Sequence, residues 1–473
     1  MFETVRNLTK TARWFLVAGL GLLIGASGRP AEAVRLNETV RRVDEVLTTR
    51  DVLGEWKKPA TADRLDCEFG GWSGITMASF SDDDNSRTAP DPIDSLLLQD
   101  LRVWTRVWLR NGMTAYLRLR EIGYSFGTAT GLNDPDLPSE GVDLDLGYLD
   151  APAWGGNWRL GRQYVRYGSG LVLANVVDGA RFTGQRGSFG YGVMLVRNKP
   201  RELDLDSNIT APRRFFEGVD FDYLRRDQHR VFGYLLAERD KSPQPAGITV
   251  ATQGFHYDAN YLGAGARGPL SHLADYHLEG IFETGSSYAI GASGKDAGDI
   301  RAFAGLARVT HQQDRPMHPV YSAEYAFGSG DAGRQPGIST VTLGPVGATD
   351  RNFLGFGRYD GGIALNPRLS NLHVLRFGAS ARPWDDAHGF EDLILGGTLS
   401  FYRKADAAGN LSDPQAVPGS GDVGSGTDLY LGWKIYSDLT WMVQYGHFSP
   451  GDTYPVGATD ETDVLFSNLT WSF

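Results

Sequence analysis

Residues Leu101 to Glu121, LRVWTRVWLRNGMTAYLRLRE, read as a hairpin whose two faces need different surroundings. Leu101, Val103, Val107 and Leu109 occupy odd positions, and Arg102, Trp104, Arg106, Trp108 and Arg110 the even ones. Asn111-Gly112 follows, and both residues tolerate the positive φ of a type I′ turn. Beyond it Ala115, Leu117 and Leu119 alternate with Tyr116, Arg118 and Arg120. Period-two alternation makes each arm a strand with one apolar face and one arginine face. In a soluble sandwich the apolar face would be core and the arginines solvated surface. In a membrane barrel the apolar face meets lipid and the arginines line a wet lumen.

The two ends of the chain separate these readings. Residues 1–33 have the form of a cleaved secretory signal: Arg6, Lys10 and Arg13, then the apolar run Trp14 to Ile24, then Ala31-Glu32-Ala33. The apolar run falls short of the ~20 residues a spanning helix needs. At the other end VLFSNLTWSF (464–473) places Leu465, Leu469, Trp471 and Phe473 on one face. An exported chain without spanning helices, built of alternating segments, satisfies its backbone in lipid only as a closed barrel. The expected fold is therefore an all-β, antiparallel transmembrane barrel of the bacterial outer membrane, over residues 65–473. Residues 34–64, with apolar residues near helical spacing, are expected to form a periplasmic extension.

Eighteen candidate strands can be marked, from 65–79 to 461–473, an even number as single-chain bacterial barrels require. The connections SDDDNSRTAPDPID (81–94) and GTATGLNDPDLPSEG (127–141) read as long outer loops, and so does 328–369. Asn111-Gly112, 150–156 and Ser437-Asp438 read as short inner turns. The stretch 263–272 reads as a turn longer than that pattern expects. Trp154, Trp158 and Trp441 fit an interfacial girdle, though core packing explains each equally well.

The full chain carries a formal charge of −11. Without Arg6, Lys10, Arg13, Arg29, Glu3 and Glu32 of the signal, 42 basic and 55 acidic side chains remain, net −13. That balance excludes nucleic-acid binding as the main task. The single cysteine, Cys67, cannot form an internal disulfide.

Several stretches resemble the alginate-export family of outer-membrane porins. They are Asp100-Leu101-Arg102-Val103-Trp104, Trp158-Arg-Leu-Gly161-Arg162-Gln163 with Arg166, and Arg358 to Leu372 with its Leu369-Ser370-Asn371-Leu372 end. Gly426-x-Asp428-Leu-Tyr-Leu and Phe448-Ser-Pro450-Gly451-Asp452-Thr-Tyr454 complete the set, in the family's order. The resemblance implies an 18-stranded monomeric barrel that passes an acidic polysaccharide such as alginate outward. It also implies a narrow electropositive constriction, occluding loops, and periplasmic synthesis and export proteins as partners. Arg102, Arg162, Arg166 and Arg358 lie in the matching motifs. One departure is the strand Val142-Asp-Leu-Asp-Leu-Gly-Tyr148, where the family has an arginine beside aromatics; this puts the polymer's identity in doubt.

The expected pore residues are Arg102, Arg106, Arg110, Arg118, Arg120, Arg159, Arg162, Arg166 and Arg358. Guanidinium groups match carboxylates geometrically and stay charged at any biological pH. The competing reading is bracing, since lumen arginines also pair with carboxylates to fill a barrel. Arg162 has a parity problem: if Trp158 and Leu160 face lipid, Arg159 faces the lumen and Arg162 does not, unless a bulge re-aims it. Glu279 and Glu283 are expected in the lumen, tempering the arginines. No HExxH or Gly-x-Ser-x-Gly motif occurs, and the nine histidines show no metal-ligand spacing. The expectation is a non-enzymatic channel with no catalytic residues, metal or cofactor. The alternative is a general anion or oligosaccharide uptake porin; barrel enzymes and plugged structural barrels are more distant readings.

Overall fold

The computed structural model describes residues 66–81, 85, 94–127, 141–200, 212–242, 257–289, 297–334, 341–342 and 349–473. The expected signal segment, the extension 34–64 and most of the loops 81–94 and 127–141 lie outside the described residues.

Among the described residues there are eighteen long strands. They are β1 Asp66–Ser81, β2 Ser95–Trp108, β3 Thr114–Gly127, β4 Asp143–Ala153, β5 Gly156–Arg166 and β6 Ala174–Arg186. Then come β7 Phe189–Asn198, β8 Arg214–Leu224, β9 Arg230–Asp240, β10 Asp258–Ser271, β11 Ala274–Ala289 and β12 Ala297–Gln312. The last six are β13 Val320–Gly328, β14 Leu372–Ala381, β15 Ile394–Lys404, β16 Asp422–Lys434, β17 Leu439–Pro450 and β18 Thr462–Ser472. A two-residue strand, Val341–Thr342, runs parallel to the end of β11.

Each long strand pairs antiparallel with its sequence neighbours, and β1 closes on β18 from Trp72 opposite Ser472 to Ser81 opposite Asp463. Closure removes the sheet edges that lipid would leave without hydrogen-bond partners. Gly71 and Phe473 exchange both backbone hydrogen bonds at 2.9 Å, so the terminal phenylalanine is built into the closing seam. Among the described residues no helix is long and apolar enough to cross a membrane. The strands carry the apolar surface: Leu101, Val103, Leu117, Leu119, Leu465 and Leu469 are all exposed on the outer face.

The connections sort by end. Residues 109–113, 154–155, 187–188, 225–229 and 272–273 are short and share one end with Asp66 and Ser472. The longest connection, 329–371, lies at the other end. Short turns face the periplasm and long loops the exterior in such barrels. Asn111 and Gly112 take φ of 63° and 74°, as their sequence requires. Leu109 N donates to Met113 O at 2.8 Å, which leaves three residues in the tip rather than two.

One stretch differs from the sequence reading. Residues 263–271, read as a turn, are strand, and the turn is only His272-Leu273. Gly263, Gly265, Gly268 and Pro269 carry the composition of a loop. Yet Gly263 and Gly265 are pressed against the rings of Tyr234 and Phe232, where a Cβ would collide. Those glycines make room for inward aromatics of β9, a use of strand glycine that composition does not reveal.

Two outer connections fold inward. In 167–173, Leu171, Val172 and Leu173 are buried, and in 349–371 Phe353, Leu354 and Phe356 are buried. They form one apolar cluster with Val177, Met194, Val196, Phe216 and Leu236 from the inner barrel face. Leu173 bridges Phe356, and Arg358 N donates to Gly170 O at 2.8 Å. A Cβ at Gly357 would fall on that carbonyl, so the two segments approach this closely only because it is glycine. The core of this barrel therefore sits inside its outer half.

Candidate functional site: a braced wall and a basic lumen cavity

Inward residues on the middle of β2, β3 and β4 form a buried charge network. Arg102 donates to Asp100 at 2.8 Å and to Asp145 at 3.1 Å; Arg118 donates to the same Asp145 oxygen at 2.6 Å. Arg120 lies 3.5 Å from Asp100. The side chains of Arg102 and Arg118 are 0% exposed. Asp145 reaches both because a bulge shifts the β3–β4 register between Arg118 and Leu119. The stacked rings of Tyr116 and Tyr148 lie nearer the periplasm, 5.2 Å apart, with Arg106 5.6 Å from the Tyr116 ring. Arg106 is 7% exposed. Arg110 belongs to the turn, and its side chain lies outside the described residues.

Arg159 faces inward with its side chain 38% exposed, bidentate to Asp150 at 2.8 and 2.9 Å and 4.1 Å from the Tyr148 ring. Arg162 shares the parity of lipid-exposed Leu160 and stands opposite Gly147 and Asp178. It holds Asp178 at 2.8 and 3.1 Å and the Leu144 carbonyl at 2.6 Å, so it is tied into the wall. Arg166 is exposed and bonds Ser169 O at the start of the inward connection. Arg358 is half-buried in the second inward segment.

The lumen glutamates hold these segments. Glu279 accepts Ser169 N at 2.6 Å and Tyr234 OH at 2.7 Å. Glu283 accepts Leu354 N at 3.1 Å and Tyr257 OH at 2.5 Å. Each carboxylate thus fastens one inward segment to β11. Burial, then the charge of Asp220, pushes the phenol of Tyr167 above its ordinary range, so it stays neutral in the first segment.

A second set of cations stays wet. The register aligns Arg230 of β9, Arg267 of β10, His277 of β11 and Arg308 of β12 across neighbouring strands on the inner face. Glu324 and Arg376 continue the row on β13 and β14. Arg230, Arg267, His277 and Arg308 line a cavity of about 740 Å³ on the periplasmic side of the inward segments. The side chains of Arg230 and Arg308 are 40% and 47% exposed, and Arg267 is exposed. Arg308 holds Glu324 at 2.5 Å, and Asp222 lies 3.7 Å from Arg230. Arg267 has no carboxylate partner among the described residues. Such a cavity can hold carboxylates through exposed guanidinium groups without closing on them.

The model of the family described as alginate export matches residues 68–466. The chain belongs to the alginate export family. Among curated proteins no relative matches it. Solved barrels of Pseudomonas aeruginosa share its fold: OccK5 (OpdH) at a TM-score of 0.54 and 11% identity, and OccK11 (OpdR) at 0.53 and 11%. These cover 86% of this chain and 98% and 96% of their own. OpdK, solved with vanillate, gives 0.52 at 9% identity over 86% of this chain and 98% of that one. The alginate export chain is thus an outer-membrane channel protein with a porin-like barrel.

Arg230, Arg267 and Arg308 were missed at the sequence level. Each lies on a different strand, and Arg267 lies in the stretch misread as a turn. Their alignment depends on strand register, which alternation alone does not give. The parity of Arg230 with Phe232 and Tyr234, and of Arg308 against Val309, was the available signal.

Proposed function

We propose that this chain passes an anionic, alginate-like polysaccharide outward, and that the wet arginines Arg230, Arg267 and Arg308 contact it. The observation that carries this reading is Arg267, an exposed lumen guanidinium beside two others, with no carboxylate partner among the described residues. Polyuronates present about one carboxylate per sugar, and shared arginines let a chain move from site to site. Binding at each site must stay weak for conduction to continue. In this reading Arg159 and Arg166 extend the path, while Arg102, Arg106, Arg118 and Arg120 brace the wall that holds it. Arg358 acts through the inward segment it belongs to. The barrel works as a monomer and receives polymer from periplasmic synthesis and export proteins.

The test is planar-bilayer recording of the refolded protein with polyuronate titrated from either side. Block by polyuronate but not by neutral dextran, lost in R230Q/R267Q/R308Q, supports the proposal. Anion conductance without polyuronate block replaces it with a general anion uptake porin.

A further inference from the structure

The lipid-facing side of β7, β8 and β9 changes character from the turn end to the loop end. Aromatic Phe189, Phe221 and Tyr223 come first, then aliphatic Leu195, Val219 and Leu235, all exposed. At the loop end stand Arg197, Arg213, Arg239 and Lys241 around exposed Phe215. Arg197 pairs with Phe215, and Phe215 with Arg239. Lys241 N donates to Arg213 O at 2.8 Å, which places Lys241, just past β9, beside Arg213, just before β8. Arg239 is half-buried and fixed by Asn260 Oδ1 at 2.7 Å and Ala259 O at 3.2 Å.

Height locates this patch in the bilayer. Tyr223 and Arg213 are ten positions apart. At ~3.3 Å per residue and a ~40° tilt this separates them by about 25 Å, the height of the apolar band of such barrels. The cations therefore lie at the level of the outer-leaflet headgroups, with Glu217 and the aliphatic Leu195, Val219 and Leu235 beneath. Carboxylates on this face are fewer. Glu217 lies one pair below Phe215, Asp178 opposite Arg197 is held by Arg162, and Asp258 accepts Asp240 N at 3.0 Å.

We propose that this face of β7–β9 binds the phosphate groups of a phosphorylated glycolipid of the outer leaflet, its acyl chains lying along Leu195, Val219 and Leu235. Guanidinium groups bind phosphate bidentately, and an anion relieves the mutual repulsion of clustered cations. A water-borne polymer would leave the aliphatic strip beneath unused. This site is on the opposite side of the wall from the lumen cavity and stands independently of the transport proposal.

The test is binding of bisphosphorylated lipid A, its dephosphorylated form, and phosphatidylglycerol to the full-length protein in micelles. The account expects lipid A to bind tightest. R197Q/R213Q/R239Q/K241Q should weaken lipid A binding about tenfold. R197K/R213K/R239K, which keeps the charge, should retain most of it. Equal binding of dephosphorylated lipid A, or of phosphatidylglycerol, by the unaltered protein would overturn the assignment. So would unweakened binding in the glutamine variant, whose folding is checked by its heat-modifiable gel migration. If that variant does not fold, the three-lipid comparison on the unaltered protein still decides.

Discussion

Arg102 and Arg118 on β2 and β3, and Arg230, Arg267 and Arg308 on β9, β10 and β12, are the same side chain on the same inner face, put to opposite uses. Arg102 and Arg118 are fully buried around Asp100 and Asp145. Arg230 and Arg308 are 40% and 47% exposed, and Arg267 is exposed without a carboxylate. What separates them is their neighbours. On β4 a bulge delivers Asp145 between two guanidinium groups, whereas the residues across from Arg267 are Arg230 on β9 and His277 on β11, neither of them a carboxylate. A charge buried with its partner is structure; a charge left wet in a cavity is available to a ligand.

The comparison breaks most visibly through Asp145. Asp145→Ala leaves two buried guanidinium groups without their shared carboxylate, and removing one partner of a buried pair costs ~3–5 kcal/mol. Urea unfolding followed by gel migration should show that loss, whereas Arg267→Gln should change stability by less than ~0.5 kcal/mol. Equal effects would erase the distinction between the two sets.

Next in size is the fastening of the inward segments. Glu279→Ala removes the acceptor of Ser169 N and Tyr234 OH and should cost ~1–3 kcal/mol. Single-channel conductance should rise as the first segment loosens. Unchanged conductance would show that Glu279 does not hold the lumen closed. Gly357→Val tests the same closure from the other side: crowding at Gly170 O should cost ~1–3 kcal/mol and again raise conductance. A smaller loss is expected at Trp441. Trp441→Phe loses only the 3.0 Å bond from Nε1 to Ser467 and should cost ~0.5–1.5 kcal/mol, with selectivity unchanged.

The barrel was legible because its signals are local. Alternation, the Asn111-Gly112 turn and the closing Leu465 to Phe473 strand each depend on a few consecutive residues. The inner direction of Arg102, Arg118, Glu279 and Glu283 followed from parity alone. What those side chains touch did not. Asp145 meets Arg102 through a bulge, Glu279 meets Ser169 across the lumen, and Arg230, Arg267 and Arg308 align only once the register of four strands is set. Arginine is dense in the one hairpin that forms the braced wall, whereas the wet arginines lie one to a strand.

The most direct test is the reversal potential of single channels in a salt gradient, recorded for the unaltered protein, R230Q/R267Q/R308Q and R102Q/D145N. The account predicts anion selectivity that is lost in the first variant and kept in those channels of the second that fold. Selectivity that survives loss of the three wet arginines, or collapses only with the buried pair, would contradict it.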